Sequence, residues 1–136
     1  MSWFFKVVAF LMSVRRGIRI FFVFAYVGWV VALSLLPPQD FPQIPLFEGA
    51  DKVVHFILYF IFSMLGCWAL KAERKFSMAY YIVPLTIGWG ILMEAFQLSM
   101  HLGRSFSWYD ILANSLGTFT GTLIYLSIVL KINVKS

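Results

Sequence analysis

Four apolar stretches, Ile18–Leu36, Val53–Leu70, Met78–Leu98 and Ile111–Leu130, constrain this chain more than anything else in it. Each is 18 to 21 residues long, and about 20 residues of helix, rising about 1.5 Å each, cross the hydrocarbon of a bilayer. The chain has 136 residues, enough for one domain. A soluble helical core is excluded by composition: 61% of residues are apolar and 12% charged, against roughly 45–50% and about 25% in soluble domains. No soluble fold of this size buries 15 Phe and 5 Trp together. The expected fold is therefore an all-α membrane protein with four transmembrane helices and an N-terminal interfacial helix.

The first 16 residues read as an interfacial amphipathic segment. Trp3, Phe4, Phe5, Val7, Val8, Phe10 and Leu11 surround Lys6, and the stretch is too short to span. A cleaved signal is not expected, because the basic cluster Arg15, Arg16, Arg19 follows the apolar residues and no small-residue cleavage site appears. Residues 17–131 form the four-helix domain and 132–136 a tail. Pro37-Pro38 ends the first span. The linker that follows, with Pro42 and Pro45, reads as an ordered loop outside the membrane, and the second span begins at or just after Asp51. Lys71-Ala-Glu-Arg-Lys75 is a basic turn. The third span carries Pro84 and Gly88-Trp-Gly90, where a kink is expected. The fourth starts near Ser107.

Charge sets the expected orientation. Lys6, Arg15, Arg16, Arg19, Lys71, Arg74, Lys75, Lys131 and Lys135 fall on one side of such a bundle, leaving Lys52 and Arg104 on the other. Basic loops stay in the cytoplasm, so both termini are expected there. The net charge of +5 is accounted for by orientation and by anionic headgroups, and nucleic acid is not an expected partner. Acidic residues split the opposite way: Asp40, Glu48, Asp51, Glu94 and Asp110 outside, Glu73 inside. Cys67, the lone cysteine, excludes an internal disulfide and reads as a small packed hydrophobe.

The start of the second span, the end of the third and the start of the fourth reach the same membrane face. Asp51, His55 and Tyr59 recur every four residues and share a helix face, with Lys52 about 100° away. Glu94 and Gln97 are neighbours three residues apart. Glu94 lies roughly 6 Å inside the apolar run, a depth at which a carboxylate faces the bundle, paired or protonated. Arg104 sits in the loop, and Asp110, Asn114, Gly117 and Gly121 make one row down the last helix.

Each residue also has a plainer reading. Ser107-Trp-Tyr-Asp110 fits a capping box, and Gly117 and Gly121 form the G-x-x-x-G of close helix packing. Asp51 suits a helix N-terminus, and His55 suits a buried histidine donating to a carboxylate. His101, in a loop, reads as solvated. Together, however, two bases, three carboxylates, a histidine and two amides exceed what capping requires.

In order and spacing, Asp51-Lys52-x-x-His55-x-x-x-Tyr59, Glu94-x-x-Gln97 and Arg104-x-x-Ser107-x-x-Asp110-x-x-x-Asn114-x-x-Gly117-x-x-x-Gly121 resemble the VanZ-like family of small membrane proteins. The resemblance covers roughly residues 37 to 130 and leaves out the segment before Arg15. It implies a multi-pass protein of the bacterial inner membrane and a cell-envelope role. The family's namesake is associated with low-level resistance to teicoplanin-type glycopeptide antibiotics, and the family carries no settled biochemical activity.

Three functions compete. The first is a site at the exterior membrane face for an anionic, lipid-linked envelope molecule. Asp51, Lys52, His55, Tyr59, Glu94, Gln97, Arg104, Asp110 and Asn114 would be its ligand-binding residues, with Lys52 and Arg104 holding a phosphate or carboxylate. The second is a structural or accessory subunit of a larger envelope complex. The third is a membrane enzyme using His55 as acid or base. No nucleophile is evident for it, since Cys67 lies about 18 Å along the helix from His55. No H-x-x-x-H or H-E-x-x-H spacing marks a metal site, so neither metal nor other cofactor is expected.

Overall fold

A computed structural model describes residues 3–35, 47, 49–71, 77–100 and 106–133. Among the described residues all regular structure is helical: α1 (Trp3–Ser13), α2 (Arg16–Leu35), α3 (Ala50–Ala69), α4 (Ser77–Ser99) and α5 (Trp108–Asn133). Helices α2 to α5 are each long and apolar enough to cross a membrane, and α1 is shorter. Arg104, His101, the Pro37-Pro38 stop, the proline-containing linker, Arg74, Lys75 and Lys135 lie outside the described residues.

The bundle is apolar outside and polar inside, the pattern of a protein dissolved in lipid. Phe21, Phe24, Leu85, Leu112, Phe119 and Leu123 are exposed, whereas Arg19, Ser63, Thr86, Glu94, Asn114 and Thr118 are all buried. Exposed aromatics collect near both membrane boundaries, Tyr80 and Tyr81 at the start of α4 and Trp108 and Tyr109 at the start of α5.

Side-chain bonds fix the directions of the helices. The Tyr26 hydroxyl donates to Leu58 O at 2.7 Å and the start of α2 meets the end of α3 through Arg19 and Trp68, so α2 and α3 are antiparallel. The end of α4 meets the end of α2, Gln97 donating to Ser34 O at 2.8 Å. The starts of α3 and α5 meet at His55 and Asn114, which makes these two parallel although α4 intervenes in sequence. The pair packs closely because Gly117 and Gly121 carry no side chain. A Cβ on Gly117 would collide with the Phe56 carbonyl, and one on Gly121 with the Phe60 carbonyl and Ser63 Oγ.

Three element boundaries follow local chemistry. Helix α3 begins at Ala50, one residue earlier than expected, because Gly49 adopts φ 85°. Its carbonyl then accepts the Lys52 and Val53 amides at 3.0 and 3.4 Å. Helix α4 runs unbroken through Pro84, whose missing N–H leaves the Tyr80 carbonyl without its usual donor. Near that turn the Thr86 hydroxyl bonds the Ile82 and Val83 carbonyls. Helix α1 is held at its C-terminal end by two residues of the bundle. Arg19, fully buried, donates to Val14 O at 3.0 Å, to Trp68 O at 2.7 Å and to Met12 O. Trp68 Nε1 donates to Leu11 O at 2.8 Å and its ring underlies the guanidinium at 5.1 Å. A helix C-terminus leaves carbonyls without partners, and a cation there satisfies them.

Candidate functional site

The polar residues of α3, α4 and α5 meet at the end of the bundle opposite Arg19. Their assembly begins with the first turn of α5. Ser107 is its N-cap, its hydroxyl accepting the Asp110 amide at 3.3 Å. In a capping box the acid three residues on would return the bond to the Ser107 amide. Here that amide donates instead to Glu94 Oε2 of α4 at 3.2 Å. The reciprocal half of the box is thus supplied by a different helix, and the Asp110 carboxylate is released toward α3.

There it meets Lys52 and His55. Lys52 Nζ lies 3.0 Å from Asp110 Oδ1 as an ion pair. The same ammonium pairs with Asp51. The two acids differ in exposure: the Asp51 side chain is 57% exposed and that of Asp110 13%. His55 Nε2 faces Asp110 Oδ2 at 3.6 Å. Its Nδ1 lies 3.1 Å from Asn114 Oδ1, one turn further along α5. With the Asn114 oxygen in that position, Nδ1 carries the proton and donates.

Gly90, four residues before Glu94 on α4, makes room for this pair. A Cβ there would stand 3.0 Å from Asn114 Nδ2 and 3.1 Å from the Tyr59 ring. The three acidic residues among those described, Asp51, Glu94 and Asp110, thus sit at one end of the bundle with Lys52, while Arg15, Arg16, Arg19, Lys71 and Lys131 mark the other. One imidazole nitrogen and one oxygen from each of Glu94 and Asp110 lie within 4.8 Å of one another.

Not every sequence candidate joins the cluster. Asp51, Lys52, Asp110, His55 and Asn114 form a chain of contacts in that order, and Glu94 approaches from α4. Tyr59 is buried below them against Phe62. Gln97 turns away to α2 and joins two helix ends. Gly117 and Gly121 lie deeper, in the α3–α5 contact. Two contributors were not singled out from the sequence. Gly90 falls on the Glu94–Gln97 face at a four-residue step, a spacing that marks it. The Ser107 amide leaves no trace in a sequence, because its bond to Glu94 exists only in the folded bundle.

The chain matches the VanZ/LLP1 family model over residues 4–131. The match takes in α1, which the motif resemblance left out, together with all four spans. No curated protein and no solved structure matches the chain. With four membrane-spanning helices and a match over almost its whole length, this multi-pass membrane protein belongs to the VanZ/LLP1 family.

Proposed function

We propose that the polar end of this bundle binds an anionic, lipid-linked molecule of the cell envelope at headgroup level, on the exterior face of the bacterial inner membrane. The observation that carries this reading is the unequal sharing of Lys52. Its ammonium lies between the buried Asp110 and the exposed Asp51. An exposed ion pair contributes little to stability, so a phosphate or carboxylate oxygen can replace Asp51 on Lys52 while Asp110 keeps the lysine in place. Arg104, three residues before Ser107 in the chain, is the proposed second cation, able to grip the same group in a fork. Asn114 holds His55, and the exposed apolar faces of α3 and α5 accommodate the lipid chain.

Orientation supports the exterior placement. Arg15, Arg16, Lys71 and Lys131 mark the end of the bundle away from the cluster, and such residues are retained in the cytoplasm. A binding role fits better than an enzyme, because the ring nitrogens of His55 face Asn114 and Asp110 and not a hydroxyl or thiol that they could activate. Cys67 is buried near the opposite end of α3.

Mass spectrometry of lipid that purifies with the protein tests the reading. The expected result is enrichment of one anionic species, such as a polyprenyl phosphate, over its share of bulk membrane lipid. Lys52→Ala and Arg104→Ala are each expected to lower that enrichment by about tenfold or more, as loss of a charge-assisted bond does, with the helical bundle retained. Lipid in bulk proportion, together with a stoichiometric protein partner, would replace this reading with a structural subunit of a larger complex.

A further inference from the structure

We propose that His55, Glu94 and Asp110 bind a divalent cation of the zinc class. Their approach is visible only in three dimensions. The residues belong to α3, α4 and α5, so none of the local histidine spacings that announce a metal site in a sequence is present. The donor set of one imidazole and two carboxylates suits zinc and, secondarily, manganese. Three protein ligands leave further coordination positions for water or an outside oxygen.

The geometry is close to what a cation needs. Around tetrahedral zinc, with ligand bonds of about 2.0–2.1 Å, neighbouring ligand atoms stand about 3.4 Å apart. His55 Nε2 and Asp110 Oδ2 are already 3.6 Å apart, and one donor atom from each of His55, Glu94 and Asp110 lies within 4.8 Å of the others. Glu94, brought in from α4, contributes the third donor within that distance.

The surroundings orient the set as metal sites are oriented. Asn114 Oδ1 lies 3.1 Å from His55 Nδ1 and accepts from it, which leaves Nε2 on the side of Asp110 Oδ2. A ring nitrogen and a carboxylate oxygen 3.6 Å apart suit a positive species between them, a proton or a metal cation. A bond from the non-ligating ring nitrogen to a carbonyl is the usual support of a metal-bound histidine. Lys52 contacts the other oxygen of Asp110 and leaves Oδ2 directed at the histidine.

This inference does not rest on the lipid reading, and its test contains no anionic lipid. The wild-type protein, purified in a neutral maltoside detergent and stripped with chelator, is titrated with Co²⁺ and then Zn²⁺. The expected result is one Co²⁺ per chain with the visible absorption of a low-coordinate nitrogen–oxygen site, displaced by Zn²⁺ and not by Mg²⁺. His55→Gln and Glu94→Gln should each weaken binding at least tenfold at unchanged helicity, and Asn114→Ala by about ten- to a hundredfold. Zinc should raise the unfolding temperature of the wild type and not that of His55→Gln. If folded wild type binds no stoichiometric Co²⁺ or Zn²⁺, or if folded His55→Gln binds as well as wild type, the site is not a metal site.

Discussion

Asp110 and Glu94 exchange duties in this fold. Asp110 occupies the position from which an acid closes a capping box, yet Glu94 receives the Ser107 amide and Asp110 faces Lys52 and His55. Removing the cap with Ser107→Ala should cost about 1 kcal/mol, the usual value for a lost N-cap, measured by denaturant unfolding in detergent micelles. Replacing Arg19 should cost more. Arg19→Leu leaves the carbonyls of Met12, Val14 and Trp68 without their donor, a loss of roughly 2–4 kcal/mol. Hydrogen exchange should locate it, with faster exchange in α1 and little change at the start of α5. Part of this was legible beforehand. A carboxylate at the depth of Glu94 must face inward, and the α3 and α5 motifs put an acid, a histidine and an amide on defined faces. The direction of Gln97 toward Ser34 was not legible, because it depends on where the end of α2 lies.

At the scale of helices, the α3–α5 contact is the joint that holds the cluster in register. The two run parallel, so residues 59 positions apart, His55 and Asn114, meet at the same height. Gly117 and Gly121 set the separation. Gly117→Ala should cost at least about 2 kcal/mol, since its Cβ would meet the backbone of Phe56 and Phe60 instead of a movable side chain. Gly28→Ala on α2 is the matched control. Nothing lies within 4 Å of a Cβ there, and the change should be neutral or stabilise by up to about 1 kcal/mol. The comparison is read from unfolding midpoints of the two variants, and equal midpoints would contradict the close approach. Hydropathy reveals the four spans to within one to three residues at each end, because burial in lipid demands length and apolar composition and little else. It is silent on neighbours: the glycine row shows that some helix comes close, and only the tertiary fold shows that the helix is α3.

For the molecule as a whole, charge is divided between two ends. Among the described residues the acids gather with Lys52 at one end, and Arg15, Arg16, Arg19, Lys71 and Lys131 lie toward the other. The lysine and arginine bias along the sequence suggested this division, and the helix directions agree with it. The proposed consequence is that the cluster opens to the exterior, where it can meet a lipid-linked envelope molecule. Cys67 is fully buried, which leaves a quiet background for labelling single introduced cysteines. Ser99, exposed at the cluster end, and Lys131, exposed at the other, are suitable positions. Intact cells carrying Ser99→Cys or Lys131→Cys are treated with a membrane-impermeant maleimide, before and after permeabilisation. The expected result is labelling of Ser99→Cys in intact cells and of Lys131→Cys only once the inner membrane is opened. The reverse pattern would put the cluster in the cytosol and contradict a site for exterior envelope molecules.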